Sequence, residues 1–168
     1  MELKESLLKR RSVRKFTGSS VNENDLVELM HAAMSAPSAM NSQPWEFFAI
    51  QDKNALDKVI KCMKYANYGA NTAIIVAGNK KRFLPKPMEE FWVQDCSAAT
   101  ENILLRATDL GLGTVWCGAY PNLECSNKLR LALGADENIV PLNVILVGYP
   151  NENPEPRDQF DKNKVHII

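Results

Sequence analysis

Apolar positions in this chain either recur three to four residues apart or run together in short stretches, which divides it into helices and strands. Leu3, Leu7 and Leu8 share one face of a predicted helix from Glu2 to about Lys9. Leu26, Leu29, Met30 and Ala33 recur at helical spacing behind Asn22, which with Asp25 three residues on resembles a capping box. Pro37 ends that second helix, because the residue before a proline disfavours helical geometry. After the polar stretch SAMNSQPW, EFFAI (46–50) reads as a strand, 52–63 as a helix and AIIVAG (73–78) as a buried strand. KKRFLPKPM (80–88) is a basic loop broken by Pro85 and Pro87. The longest helix is predicted from Glu89 to Leu110, with Phe91, Asp95, Ala98, Asn102, Leu105 and Asp109 stepping through it until Gly111 stops it. GTVWCGAY (113–120) is a short strand, and a further helix runs from Pro121 to about Leu133 with Gly134 behind it. PLNVILVGY (141–149) is the most apolar strand, and the tail beyond it is polar and proline-rich until its last residues. Four strands among helices of unequal length predict an α+β or irregular α/β domain rather than a regular βαβ series.

Composition narrows the class without naming the chemistry. At 168 residues the chain suits one domain, 1–168, able to bury roughly 70% of its unfolded surface without a metal or disulfide staple. Twenty basic residues balance twenty acidic ones, which argues against a nucleic-acid partner, since that needs a net basic face. No apolar run approaches the roughly 20 residues of a membrane span. The start MELKESLLKRR carries no apolar signal core, so we expect no membrane and a cytoplasmic protein. Cys62, Cys96, Cys117 and Cys125 are scattered, with only His31 and His166 to help, so reduced packing thiols and no metal site are expected.

Three constellations could carry chemistry. In RRSVR (10–14), Arg10 and Arg14 share a face if the helix continues. If the chain is extended, Arg10, Ser12 and Arg14 share a side by period two. Either way the group suits a phosphate dianion, or else it is a solvated basic helix end. PSAMNSQPW (37–45) fixes its backbone with two prolines and offers two amides, the complement of an imide edge; alternatively the amides satisfy the loop's own backbone. GLGTVWCG (111–118) has no G-x-G-x-x-G, and its glycines follow a helix and precede a strand, the reverse of a dinucleotide loop. Its strand end at Gly118-Ala119 can let a flat ligand lie close to the backbone.

In this order, with Trp92, Asp95, Ala98, Asn102 and Leu105 of the long helix and the closing VGYP…PEP-R tail, these blocks resemble the nitroreductase family over nearly the whole chain. The resemblance implies an α+β fold: a mixed, mostly antiparallel sheet flanked by helices, in an intertwined homodimer with FMN at the interface. It implies that Arg10, Ser12 and Arg14, with Arg11 beside them and Arg157 from the tail, hold the FMN phosphate. Pro37, Ser38, Ala39 and Met40 would pack on the isoalloxazine from the other subunit, with Asn41 and Gln43 near the ring and ribityl chain. Asn71 falls near a position that in relatives contacts the flavin edge, and the backbone of Gly118 and Ala119 approaches N5. The tail, about 151–168, would pack on the partner subunit. The implied activity is ping-pong transfer of hydride from NADH or NADPH through the flavin to a nitro, quinone or similar small-molecule acceptor. Another reductive or dehydrogenating reaction of the same fold, and a flavin carrier without turnover, are the alternatives. No side chain stands out as a catalytic acid or base: Asp95 reads as structural and Cys117 as a packing residue. Many relatives carry a basic residue where this chain has Gln159, and the chain is short for the family, which implies an open pocket.

Overall fold

Four strands form one sheet in the order β1-β2-β4-β3: β1 (Trp45–Ile50), β2 (Thr72–Asn79), β3 (Gly113–Gly118) and β4 (Ile139–Gly148). A computed structural model describes residues 2–168. All three strand pairings are antiparallel, and the parallel component of the expected mixed sheet is confined to a single bridge between Ser12 and Thr114. β2 and β4 occupy the middle because they are apolar on both faces, as strands covered on both sides must be. Ile74, Val76, Ile145 and Val147 point into one core, and Ala73, Ile75, Val144 and Leu146 into the other.

Five helices cover those faces: α1 (Leu3–Lys9), α2 (Glu23–Met34), α3 (Lys53–Cys62), α4 (Phe91–Asp109) and α5 (Leu123–Ala132). α2 and α4 pack on the first core, and α3 and α5 on the second, giving three layers. Local sequence fixes the helix ends. The Asn22 carboxamide accepts from Asp25 N–H at 2.8 Å and donates to its carboxylate at 2.6 Å, closing the expected capping box. Asp52 and Asn122 cap α3 and α5 in the same way. Behind α4, Gly111 takes φ 75°, and the amides of Gly111 and Leu112 donate to Thr108 and Ala107 carbonyls. Those two bonds make a Schellman stop, repeated at Gly134 behind α5. No helix among the described residues is long and apolar enough to cross a membrane.

The long helix departs from the expected register. Its deepest residues are Trp92, Cys96, Ala99, Ile103 and Ala107, whereas Phe91 is exposed and Ala98, Asn102, Leu105 and Asp109 are half-buried. The deepest positions recur at spacings of four and three, a stripe one residue on from the predicted series, and α4 packs on the sheet, α2 and α1.

The N-terminal segment is seated on the free edge of β3. Val13 N–H donates to the Thr114 carbonyl at 2.8 Å, and the Val13 side chain fills the hollow above Gly113. A Cβ at residue 113 would lie 2.8–2.9 Å from Val13 Cγ1, Cβ and Cγ2. Gly113→Ala should therefore destabilise the fold by about 1–3 kcal/mol through overpacking, read as a lowered midpoint in chemical denaturation. An unchanged midpoint would show that Val13 yields freely.

Candidate functional site

α1 ends at Lys9, and Arg10 already has extended geometry (φ −56°, ψ 117°), so the period-two alternative for RRSVR is the one realised. With Val13 turned inward, Arg10, Ser12 and Arg14 line one cavity of about 400 Å³, joined by Arg11, Leu7, Arg157 and Gln159. Five residues singled out in the sequence at positions 10, 11, 12, 14 and 157 thus meet in one place. Gln159, read as a departure, lines the same cavity.

The tail is brought there by backbone pairing along its own N-terminal segment. Thr17 N–H donates to Tyr149 carbonyl, Asn151 N–H to Lys15 carbonyl, and Arg157 N–H to Leu8 carbonyl, at 3.0, 2.8 and 3.1 Å. Arg14 N–H donates to the Glu152 carboxylate at 2.6 Å, and Arg11 donates to the Glu155 carbonyl. Residues 151–157 therefore pack on their own chain. Beyond them Phe160, Val165 and Ile167 stay exposed.

The cavity holds more positive charge than its neighbours cancel. Arg10 Nε lies 3.5 Å from Glu101, the only ion pair among the described residues that involves the four arginines. Burial pushes the Glu101 carboxyl above its ordinary range, and Arg10 pulls it back down. Guanidiniums in this number with a hydroxyl form a donor set for a dianionic, multi-oxygen group.

Arg14 also borders a second cleft, of about 470 Å³, between the end of β3 and residues 63–68. Gly118, Ala119 and Trp116 form one side, and Met63, Lys64, Tyr65 and Tyr68 the other. Arg14 lies 5.9 Å from the centre of the Tyr68 ring. A Cβ at residue 118 would meet no atom within 4 Å, so the backbone there is open to a flat ligand. Ala119 N–H, however, donates to the Leu142 carbonyl at 2.9 Å, which removes it as a donor to anything in the cleft. Burial raises the Cys117 thiol pKa, and Arg14 opposes this, so one neighbour does favour the thiolate; the thiol still stays protonated near neutrality.

The 63–68 wall carries no motif and was missed in the sequence. Only its two tyrosines beside Gly69 could have flagged it.

Asn71 lines neither cavity. Its side-chain amide donates to the Gly18 carbonyl and ties down the loop after the arginine segment.

The block from Pro37 to Gln43 stands apart from both cavities within one chain. A short 3₁₀ turn covers Ala39–Asn41, and Met40, Asn41 and Gln43 all have positive φ, 51°, 53° and 46°. Non-glycine residues in this region cost of order 1 kcal/mol each and persist only where the surroundings hold them. The holding contacts are specific: Asp95 Oδ1 accepts from Ala39 N–H at 2.9 Å, and Ser38 Oγ accepts from Gln43 N–H at 3.0 Å. Gln43 Nε2 donates to Asn41 Oδ1 at 3.2 Å, so the two amides are partly spent on the loop itself. Asp95 thus has the structural role expected of it. Met40 is 79% exposed, an apolar side chain held outward on a strained turn with nothing of its own chain to cover it.

Known proteins share this fold. The sequence profile of the nitroreductase family matches residues 7–67 and 61–149. A protein of Archaeoglobus fulgidus provisionally named NADH dehydrogenase/NAD(P)H nitroreductase is 41% identical over 162 residues, 94% of this chain and 92% of its own. A Clostridium acetobutylicum structure provisionally named an NADH oxidase superposes with a TM-score of 0.89 at 41% identity, over 96% of this chain and 98% of that one. A provisionally named nitroreductase of Desulfovibrio desulfuricans, solved in complex with FMN, superposes with a TM-score of 0.84 at 26% identity, over 100% of this chain and 96% of that one. Since the match runs from the arginine segment through the end of β4 and the likeness extends over nearly the full length of each relative, the chain belongs to the nitroreductase family.

Proposed function

We propose that this protein is an FMN-dependent oxidoreductase that takes hydride from NADH or NADPH and passes it to a nitro, quinone or similar small acceptor. The observation that carries the reading is the meeting of Arg10, Arg11, Ser12, Arg14 and Arg157 around one cavity, with Arg14 shared by the open cleft at Gly118. The donor set fits a terminal phosphate, and the bare backbone at Gly118 fits a planar ring, so the residues present suit FMN. The family membership and the FMN complex of the Desulfovibrio relative support the same cofactor. When bound, FMN supplies reversible two-electron chemistry, accepting hydride from a nicotinamide and returning it to an acceptor.

In this reading Arg10, Arg14 and Arg157 neutralise the phosphate, and Ser12 donates a hydroxyl hydrogen bond. Gly118 keeps its face clear so the ring can lie against the strand. Arg14, which borders both the arginine cavity and the cleft beside Tyr68, would hold the phosphate from one side and help position the other end of the cofactor. No side chain is assigned as acid or base, and the proton of the Cys117 thiol stays in place at neutral pH. The chain's shortness for its family supports an open, permissive pocket. One opening serving donor and acceptor in turn supports ping-pong turnover.

The site is completed by a second copy of the chain. Leu3 on α1 is exposed and lines a shallow groove with Asn102, Leu105 and Ala32. Phe160, Val165 and Ile167 extend an apolar tail with no cover, suited to lie across a partner. The strained Pro37–Gln43 block, with Met40 outward, would then supply the far wall of the partner's flavin site. Four free cysteines suit a reducing compartment, and we assign the protein to the cytoplasm.

Two measurements test the reading. FMN-loaded protein should oxidise NADH or NADPH in the presence of a quinone or nitroaromatic; no oxidation of either would leave a flavin carrier. Arg14→Ala should lose about 1.5–3 kcal/mol of FMN affinity, more than tenfold, in a fluorescence titration. Undiminished affinity would remove Arg14 from the phosphate site.

A further inference from the structure

A second cleft of about 400 Å³, at the N-terminal end of β4, takes no part in the site above. It lies between the 80–90 loop and α5, a volume suited to a nucleoside-sized ligand. Two half-buried rings, Phe83 and Tyr120, border it in front of the buried Trp92. Phe83 stacks on Trp92 with centroids 5.0 Å apart and planes 7° from parallel, and Tyr120 meets Trp92 edge-on at 4.9 Å. Leu123, 68% exposed, stands opposite.

The same turn separates this cleft from the one at Gly118. Ala119, Asn122 and Cys125 border the Gly118 cleft, whereas Tyr120, Leu123 and Ser126 border this one. The two clefts therefore lie on either side of one turn and the first turn of α5.

The polar groups carry an acidic excess. Glu89, Glu90 and Glu137 line the cleft against Lys80 and Arg130. Tyr120 Oη donates to Glu90 Oε2 at 3.1 Å, and the Glu89 carboxylate lies close enough to help raise the Tyr120 pKa, after burial and Glu90. The Arg130 guanidinium is already committed, donating to Asn127 Oδ1 and to the Ala135 carbonyl. Among the described residues the Glu89 and Glu137 carboxylates have no hydrogen-bond or ion-pair partner, and neither has the Lys80 ammonium, so each carboxylate is free to accept a ligand hydroxyl. A carboxylate at a ribose accepts from the 2′-hydroxyl and repels a 2′-phosphate.

We propose that this cleft binds the adenosine half of the nicotinamide donor, with Glu89 and Glu137 taking the ribose hydroxyls, and that it selects NADH over NADPH. The inference rests on the nicotinamide-dependent activity proposed above and deepens it.

FMN-loaded protein titrated calorimetrically with ADP-ribose and with its 2′-phosphorylated analogue tests the cleft directly. ADP-ribose should bind at least about tenfold more tightly than the analogue. In steady-state kinetics, Glu89→Gln and Glu137→Gln should each narrow the NADH-to-NADPH ratio of kcat/KM by several-fold. Absence of ADP-ribose binding, equal affinity for both probes, preference for the phosphorylated one, or a ratio unmoved in both variants would overturn the proposal. If neither nicotinamide reduces the flavin, the oxidoreductase reading fails, while the ADP-ribose titration still decides whether the cleft binds an adenosine.

Discussion

The contact on which the rest of the molecule turns is the seating of Val13 over Gly113. An edge strand presents unpaired backbone groups, and here the N-terminal segment covers them through the Val13–Thr114 hydrogen bond. Close approach is possible because residue 113 has no Cβ. Once Val13 faces inward, the alternation of an extended chain turns Ser12 and Arg14 the other way, into the cavity they share with Arg10. The tail then pairs along the same segment and brings Arg157 to the same cavity. A glycine that governs packing therefore also governs where four positive charges converge.

Charge and strain are distributed unevenly over this frame. Formal charge sums to zero over the chain, yet the arginine cavity carries an uncancelled excess, and the cleft behind Tyr120 carries an excess of carboxylates. Left-handed non-glycine residues are confined to the Pro37–Gln43 block, where Asp95 on the long helix holds Ala39 in place. The strained block and the arginine cavity sit apart in one chain, and the proposed two-copy site rests on that separation.

Much of this was legible in the sequence, for identifiable reasons. Strands and helix stops came out within a residue or two because their signals are local: short apolar runs, Asn and Asp caps, and glycines after helices. RRSVR was legible because both of its backbone alternatives put Arg10 and Arg14 together. The register of α4 was not, since the series from Phe91 and the one from Trp92, one residue on, both recur at helical spacing. Nor was the 63–68 wall, which lacks periodicity and acquires its place only when the chain folds back against β3. The loss of Ala119 N–H as a donor also depends on a tertiary contact, its bond to Leu142, which no local pattern announces.

The central claim is that each site takes its arginines from one chain and its ring-packing loop from another, and mixed dimers test it most directly. One variant would carry Arg10→Ala and Arg14→Ala, and the other Ser38→Glu and Met40→Glu in the strained block. Each alone should bind no FMN. After the two are unfolded and refolded together, the account predicts that each heterodimer regains one tightly bound FMN, because one of its two sites is then built from intact segments of both chains. No recovery in heterodimers isolated by orthogonal tags would contradict it.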